Sequence, residues 1–226
     1  MTAPAADNSL RADKIVRTFT LGGEKIHALR EVSLTVEAGE KIFLCGPSGA
    51  GKTTLLYVLG GLERPTSGEV FIGGKSLYSG NDADCARMRN QFSGYVFQSY
   101  LLLPELTALE NVMLPAMIGG RKGRDLARDL LRRVGLEKRM EHLPAELSGG
   151  EQQRVAIARS LVNDPRIIFA DEPTGNLDSA TGMEIMNLLL SVVAESRKTL
   201  LIVTHDTRLS SMGDRTLMLR DGLLEP

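Results

Sequence analysis

The chain has 226 residues, 42 % of them apolar, and a formal net charge of −1. That length suits one large domain or a domain with a subdomain, with enough apolar material for a real core. The near-neutral balance gives no pull toward nucleic acid or an anionic membrane surface, and the two unpatterned cysteines, Cys45 and Cys85, suit a reducing compartment rather than a disulfide scaffold.

In chain order, Met1 to Asn8 lacks a basic stretch followed by an apolar one, so it does not read as a secretory signal. We expect residues 1–9 to be a disordered lead and residues 10–226 to form a single domain. No apolar run approaches the roughly 20 residues that cross a bilayer, so any membrane role runs through a partner. Lys14 to Phe19, Ile26 to Val36 and Glu69 to Ile72 are strand-like, with glycine turns at Gly22-Gly23 and Gly73-Gly74. They predict an antiparallel sheet beside a parallel core.

Lys41 to Cys45 is a short apolar strand that runs into Gly46-Pro47-Ser48-Gly49-Ala50-Gly51-Lys52-Thr53 and then an apolar helix around Leu55 to Leu59. This fits G-x-x-x-x-G-K-[ST] in its strand–loop–helix setting. Glycines let backbone N–H groups turn to phosphate oxygens, and the helix N-terminus adds partial positive charge. Lys52 would reach the β- and γ-phosphates and Thr53 would ligate Mg²⁺. Cys45 reads as a small buried strand residue. Gln98, after Gly94 to Phe97, either contacts Mg²⁺ or the attacking water or is a surface residue.

The middle, about Leu109 to His142, reads as helical. Thr107 to Glu110 is a capping box and Pro115 a break. Arg121 to Glu141 interleaves basic and acidic residues, which predicts a solvated, ion-paired face over an anion site. Ser148-Gly149-Gly150-Glu151 is a second capping box, opening a helix over Gln152 to Val162. It is either a cap alone or a bared helix N-terminus for a γ-phosphate, and both readings can hold together.

Ile167 to Ala170 is continuously apolar and ends in Asp171-Glu172. A carboxylate there suits Mg²⁺, and the next one suits a general base on water. Met183, Met186, Leu190 and Val193 lie at helical spacing and read as core. Leu200 to Val203 is a third buried strand, with His205 at its end either as a core residue or as a sensor of the γ-phosphate. The runs apolar on both faces predict α/β architecture: a mostly parallel sheet with helices on both sides and polar residues at the strands' carboxyl ends.

These strings, in this order and over about residues 10–223, resemble the ATP-binding cassette ATPases. Leu147 to Glu151 looks like that family's signature, Asp171 to Asp178 its second carboxylate motif and D-loop, Gln98 its Q-loop and His205 its switch histidine. The resemblance implies a P-loop NTPase core with an antiparallel β subdomain and a helical subdomain at about 99–162. It implies Phe19 stacked on adenine, and ATP held by Gly46, Pro47, Ser48, Gly49, Ala50, Gly51, Lys52, Thr53 and Thr54 with Gln98. Ser148, Gly149 and Gly150 would complete the site from a second chain. Mg²⁺ would fall to Thr53, Gln98 and Asp171, and catalysis to Glu172, His205 and Lys52.

Partners implied are a second cassette, identical or not, packed head to tail on ATP, and separate integral membrane permease subunits. No nucleic acid is implied. The place implied is the cytoplasmic face of the inner membrane. Leu59 to Gly68, Leu106 to Val112 and Pro173 to Asp178 are similar to the group that serves lipoprotein release, macrolide or peptide export and cell division, and Leu101 to Thr107 favours the lipoprotein-releasing kind. A non-transport regulatory cassette is the alternative of another class.

Overall fold

A computed structural model describes residues 10–225; the predicted lead at 1–9 lies outside them. Among the described residues, ten strands and seven α-helices follow in order: β1 (Leu10–Leu21), β2 (Glu24–Val36), β3 (Lys41–Cys45), α1 (Lys52–Gly60), β4 (Ser67–Ile72), β5 (Lys75–Ser76), α2 (Asp82–Phe92), β6 (Ser93–Phe97), α3 (Ala108–Ile118), α4 (Arg124–Arg133), α5 (Gly149–Leu161), β7 (Ile167–Asp171), α6 (Ser179–Glu195), β8 (Thr199–Val203), α7 (Thr207–Ser210), β9 (Arg215–Arg220) and β10 (Leu223–Leu224). The chain divides into two compact units, one of residues 10–89 with 199–225 and the other of residues 90–198.

In the first unit, β1 pairs antiparallel with β2 and β4, and β4 with β5, giving the order β2-β1-β4-β5. This is the sheet the early strand-like runs predict. Beside these strands, β3 lies parallel to both β8 and β9. Ile42 to Cys45 and all of β8 are buried, as strands covered on both faces must be. Both cysteines are free and buried, and Cys45 is the buried strand residue expected. Burial pushes the Cys45 thiol up, against the opposing pull of Lys52.

In the second unit, β6 and β7 pair in parallel and β7 is wholly buried. Thr107 caps α3 with the reciprocal bond to Glu110, as its sequence predicts. Pro115 does not break α3, which continues to Ile118. The Pro115 carbonyl accepts the side-chain amides of Asn90 (2.8 Å) and Asn163 (3.1 Å), which hold that turn in place. The basic run pairs at the surface: Arg132 with Asp129 and Glu137, Arg133 with Glu195, and Arg139 with Glu151.

The expected core stripe of α6 is only half right. Met186 and Val193 are buried, Leu190 is half-buried and Met183 is 44 % exposed. The buried face runs instead through Ile185, Met186, Leu189, Val192 and Val193.

Candidate functional site

In the first unit, the loop 46–51 joins β3 to α1. Gly46 has φ +150°, and a Cβ there would lie 2.1 Å from the Leu219 carbonyl oxygen. Gly51, at φ +99°, would bring one within 2.4 Å of the Ala28 oxygen. Both positions therefore require glycine. Gly51 opens α1 with no side-chain cap, and no acidic residue stands in its first turn. The helix N-terminus thus keeps its partial positive charge for a ligand. Lys52 is buried, and its Nζ donates to the Gly46 and Pro47 carbonyls, both at 2.9 Å, so the ammonium folds back over the loop. Pro47, Ser48 and Gly49 are exposed on the loop and Ala50 is buried; in the first turn of α1, Thr53 is exposed and Thr54 half-buried.

Phe19 stands half-buried near the end of β1. His205 lies two residues beyond β8 and is exposed, so it is not a core histidine. Beside it, the Thr204 hydroxyl accepts the Asp206 N–H at 3.0 Å, and Asp206 accepts from Arg208 through backbone and side chain. Those bonds pull the Asp206 carboxyl down to about 2.

In the second unit, β7 delivers Asp171 buried at its last position and Glu172 just past it. Glu172 takes φ +44°, a left-handed conformation unusual for a non-glycine residue. Such strain persists where surrounding structure over-determines it, and it clusters at functional sites. Gln98 is clasped to the turn that follows: its Nε2 donates to Asn176 Oδ1 (3.1 Å), and Asn176 Nδ2 donates to the Gln98 carbonyl (3.0 Å). Gly175 allows this, since a Cβ there would sit 2.7 Å from Gln98 Nε2. The structure therefore joins Gln98 to the turn that follows Asp171 and Glu172.

Ser148 is exposed and caps α5; its Oγ accepts the Glu151 N–H (3.3 Å) and Glu151 accepts the Ser148 N–H (2.8 Å). Arg139 bonds the other Glu151 oxygen at 3.0 Å. These bonds, the backbone one from Ser148 foremost, hold the Glu151 carboxyl below its usual range. Gly149 and Gly150 are closely packed: added Cβ atoms would stand 2.8 Å from Tyr100 Oη and from Thr181 Cγ2, so those side chains would have to shift.

Two further residues escape sequence reasoning. Gln153 is fully buried in α5, and its Nε2 donates to the carbonyls of Pro173 (2.5 Å) and Phe97 (3.3 Å). It thereby ties the backbone on either side of the Gln98 and Glu172 loops. Its signal is a polar residue three after Gly150 and four before Ile157, on the buried stripe of the helix. Asn111 is also fully buried; it accepts the Leu103 N–H and donates to the carbonyls of Leu103, Leu106 and Thr107. It pins the segment that leads from Gln98 into α3.

A strand, a glycine loop and an uncapped helix in one unit, and an acid-ended strand in the other, define the α/β P-loop class. The model of the ABC transporter family matches residues 29–175. The chain is 49 % identical over 216 residues to the lipoprotein-releasing system ATP-binding protein LolD of Syntrophotalea carbinolica, covering 94 % of this chain and 95 % of the relative. To the same-named protein of Myxococcus xanthus it is 51 % identical, covering 92 % and 94 %. Among solved structures it resembles a dimeric post-hydrolysis state of the ATP-binding cassette MJ0796 bound to ADP and Pi, at TM-score 0.88 and 42 % identity, covering 96 % and 97 %. The chain belongs to the ABC transporter family and is its ATPase cassette. No helix among the described residues is long and apolar enough to cross a membrane.

Proposed function

We propose that this chain binds and hydrolyses ATP as one of two cassettes and thereby drives a separate integral membrane partner that releases lipoproteins from the inner membrane. What carries the reading is near-full-length likeness to lipoprotein-releasing ATP-binding proteins, at 49 % identity over 94 % of the chain. The uncapped α1 terminus and the strained Glu172 support the chemistry.

In this reading, the backbone N–H groups of the Gly46 to Thr54 stretch, Pro47 excepted because it has none, and the Lys52 ammonium hold the phosphates, and Phe19 stacks on adenine. Thr53 hydroxyl, Asp171 carboxylate and the Gln98 side-chain Oε1 are hard oxygen donors, the set that Mg²⁺ takes. When bound, that ion neutralises charge on the β- and γ-oxygens. Glu172 takes a proton from the attacking water, and His205 and Gln98 orient that water. Ser148, Gly149 and Gly150 present the α5 N-terminus to the γ-phosphate held by the other chain. Residues 98–110, with Leu101 and Leu103 exposed, face the membrane partner at the cytoplasmic side. A single nucleotide-binding domain over residues 10–226, with its helical part at about 99–162, is the organisation that serves this.

The test is depletion of the chain in its own cell, with a pulse-labelled lipoprotein followed by membrane fractionation. Retention of the lipoprotein in the inner membrane is expected. Normal export would overturn the assignment of cargo.

A further inference from the structure

Phe19, the ring read above as the adenine platform, does not stand alone. The pairing of β1 with β2 shifts register between Arg17 and Thr18. Such irregularities re-aim a side chain and are frequent beside functional sites. Here the Arg17 guanidinium folds over the Phe19 ring, with Cζ 4.3 Å from the ring centroid. Arg17 also pairs with Glu63 at 2.5 Å. Its Nε is buried and makes no hydrogen bond among the described residues. The guanidinium is therefore held by the ring and by Glu63 rather than by a full set of acceptors.

Glu63 is itself fixed. Its N–H donates to the Tyr57 carbonyl in α1 (3.1 Å), and its carbonyl accepts the Tyr78 hydroxyl (2.8 Å). The single Tyr78 hydroxyl proton is shared with the Val58 carbonyl (2.5 Å), closing the same turn. A continuous path thus runs from the loop 46–53 through α1 to Glu63, Arg17 and Phe19, all within one unit.

We propose that Arg17 is a positioning residue for the nucleotide base. It backs one face of Phe19, leaves the other to the purine and, through Glu63, fixes the ring at a set distance from the phosphate loop. The inference rests on the reading that Phe19 stacks on adenine. A phenyl ring held on one face is preorganised, so less freedom is lost when a base stacks on the other. An aromatic–guanidinium stack has the geometry of a favourable cation–π contact.

The experiment is calorimetric titration of the full chain with ADP and, separately, inorganic pyrophosphate, both with Mg²⁺. Arg17→Met is expected to lower ADP affinity about three- to tenfold, the range of the ordering cost of one interface side chain, with pyrophosphate affinity unchanged. Arg17→Lys, which keeps the charge and loses the planar stack, should fall between. Equal loss for both ligands would mean general damage and would overturn the proposal. Wild-type ADP affinity in Arg17→Met, with Phe19→Ala weakened, would overturn it while leaving the stacking reading intact. Full ADP affinity in Phe19→Ala would remove the stacking reading and the proposal together.

Discussion

Gln153 offers the sharpest test of how the second unit is held. Replacing it by methionine keeps the length and removes the amide. Two acceptors lose a donor, but not equally. The Phe97 carbonyl also takes the Tyr100 N–H at 3.2 Å and stays satisfied. The cost falls on the Pro173 carbonyl, and an unsatisfied buried acceptor costs about 1–3 kcal/mol. Part is returned, because Gln153 Oε1 is buried without a hydrogen bond among the described residues and leaves with the amide. The net expectation is a loss of about 1–2 kcal/mol, or about 3–6 °C in Tm for a chain of this size.

Gln153→Glu separates hydrogen bonding from packing. It places a carboxylate against the Pro173 oxygen, so its folded pKa rises above the unfolded value of about 4.3. At pH 7 the variant should lose about 3 kcal/mol or more, as for an uncompensated buried charge. That penalty should shrink as pH falls and the protonated acid donates to the carbonyl. Urea unfolding followed by far-UV circular dichroism at pH 7 and pH 5.5 reads both variants. A Gln153→Glu protein as stable as wild type at pH 7 would refute the assignment of donor and acceptor.

Three other outcomes follow from the site. Glu172→Gln should leave ATP binding intact and cut steady-state turnover at least ~100-fold, the scale of a lost general base; near-normal turnover would remove that role. Gly46→Ala forces a Cβ against the Leu219 carbonyl and should cost about 2–4 kcal/mol, checked by urea unfolding, with weakened nucleotide binding by titration. Glu110 and Glu151 have carboxyls held low by their capping bonds, and Asp206 is held low first by the Arg208 guanidinium and then by the Arg208 N–H. Their contribution is complete above the unfolded range near pH 4 and is lost as pH falls through the lowered values. Glu151→Gln should flatten part of that acid loss in the urea midpoint between pH 5 and 3.

Much of the fold is legible in the residues themselves. The runs at Ile42 to Cys45, Ile167 to Ala170 and Leu200 to Val203 are apolar at every position, and only burial on both faces explains that pattern. Thr107 and Ser148 announce their helices because a capping box is local chemistry. Pro115 misleads because its rule is local, while Asn90 and Asn163 secure the turn from distant parts of the chain. On α6 the methionines suggest one phase of the helix and burial follows another, since packing rather than residue type selects the face.

The candidate site divides in the same way. Gly46 to Thr53 and Asp171-Glu172 are contiguous and read directly. The clasp of Gln98 on Asn176, the Gln153 bonds and the Arg17 stack on Phe19 join residues separated by loops or by a register shift. Arg17 and Phe19 do share the i, i+2 spacing of one strand face, but the Glu63, Asn176 and Pro173 partners come from distant positions that no local spacing reports.

In the proposed assembly, each ATP site is built from the Lys52 loop of one chain and the Ser148 helix of another. Mixing two inactive variants tests it most directly. Lys52→Ala and Ser148→Arg should each be silent alone. In a mixed pair, the chain with intact Lys52 meets the chain with intact Ser148, and one whole site reappears. With random two-fold pairing of equal amounts, half the pairs are mixed and each holds one of two sites, so about a quarter of wild-type ATPase activity should return. A mixture no more active than its two components would contradict the shared site.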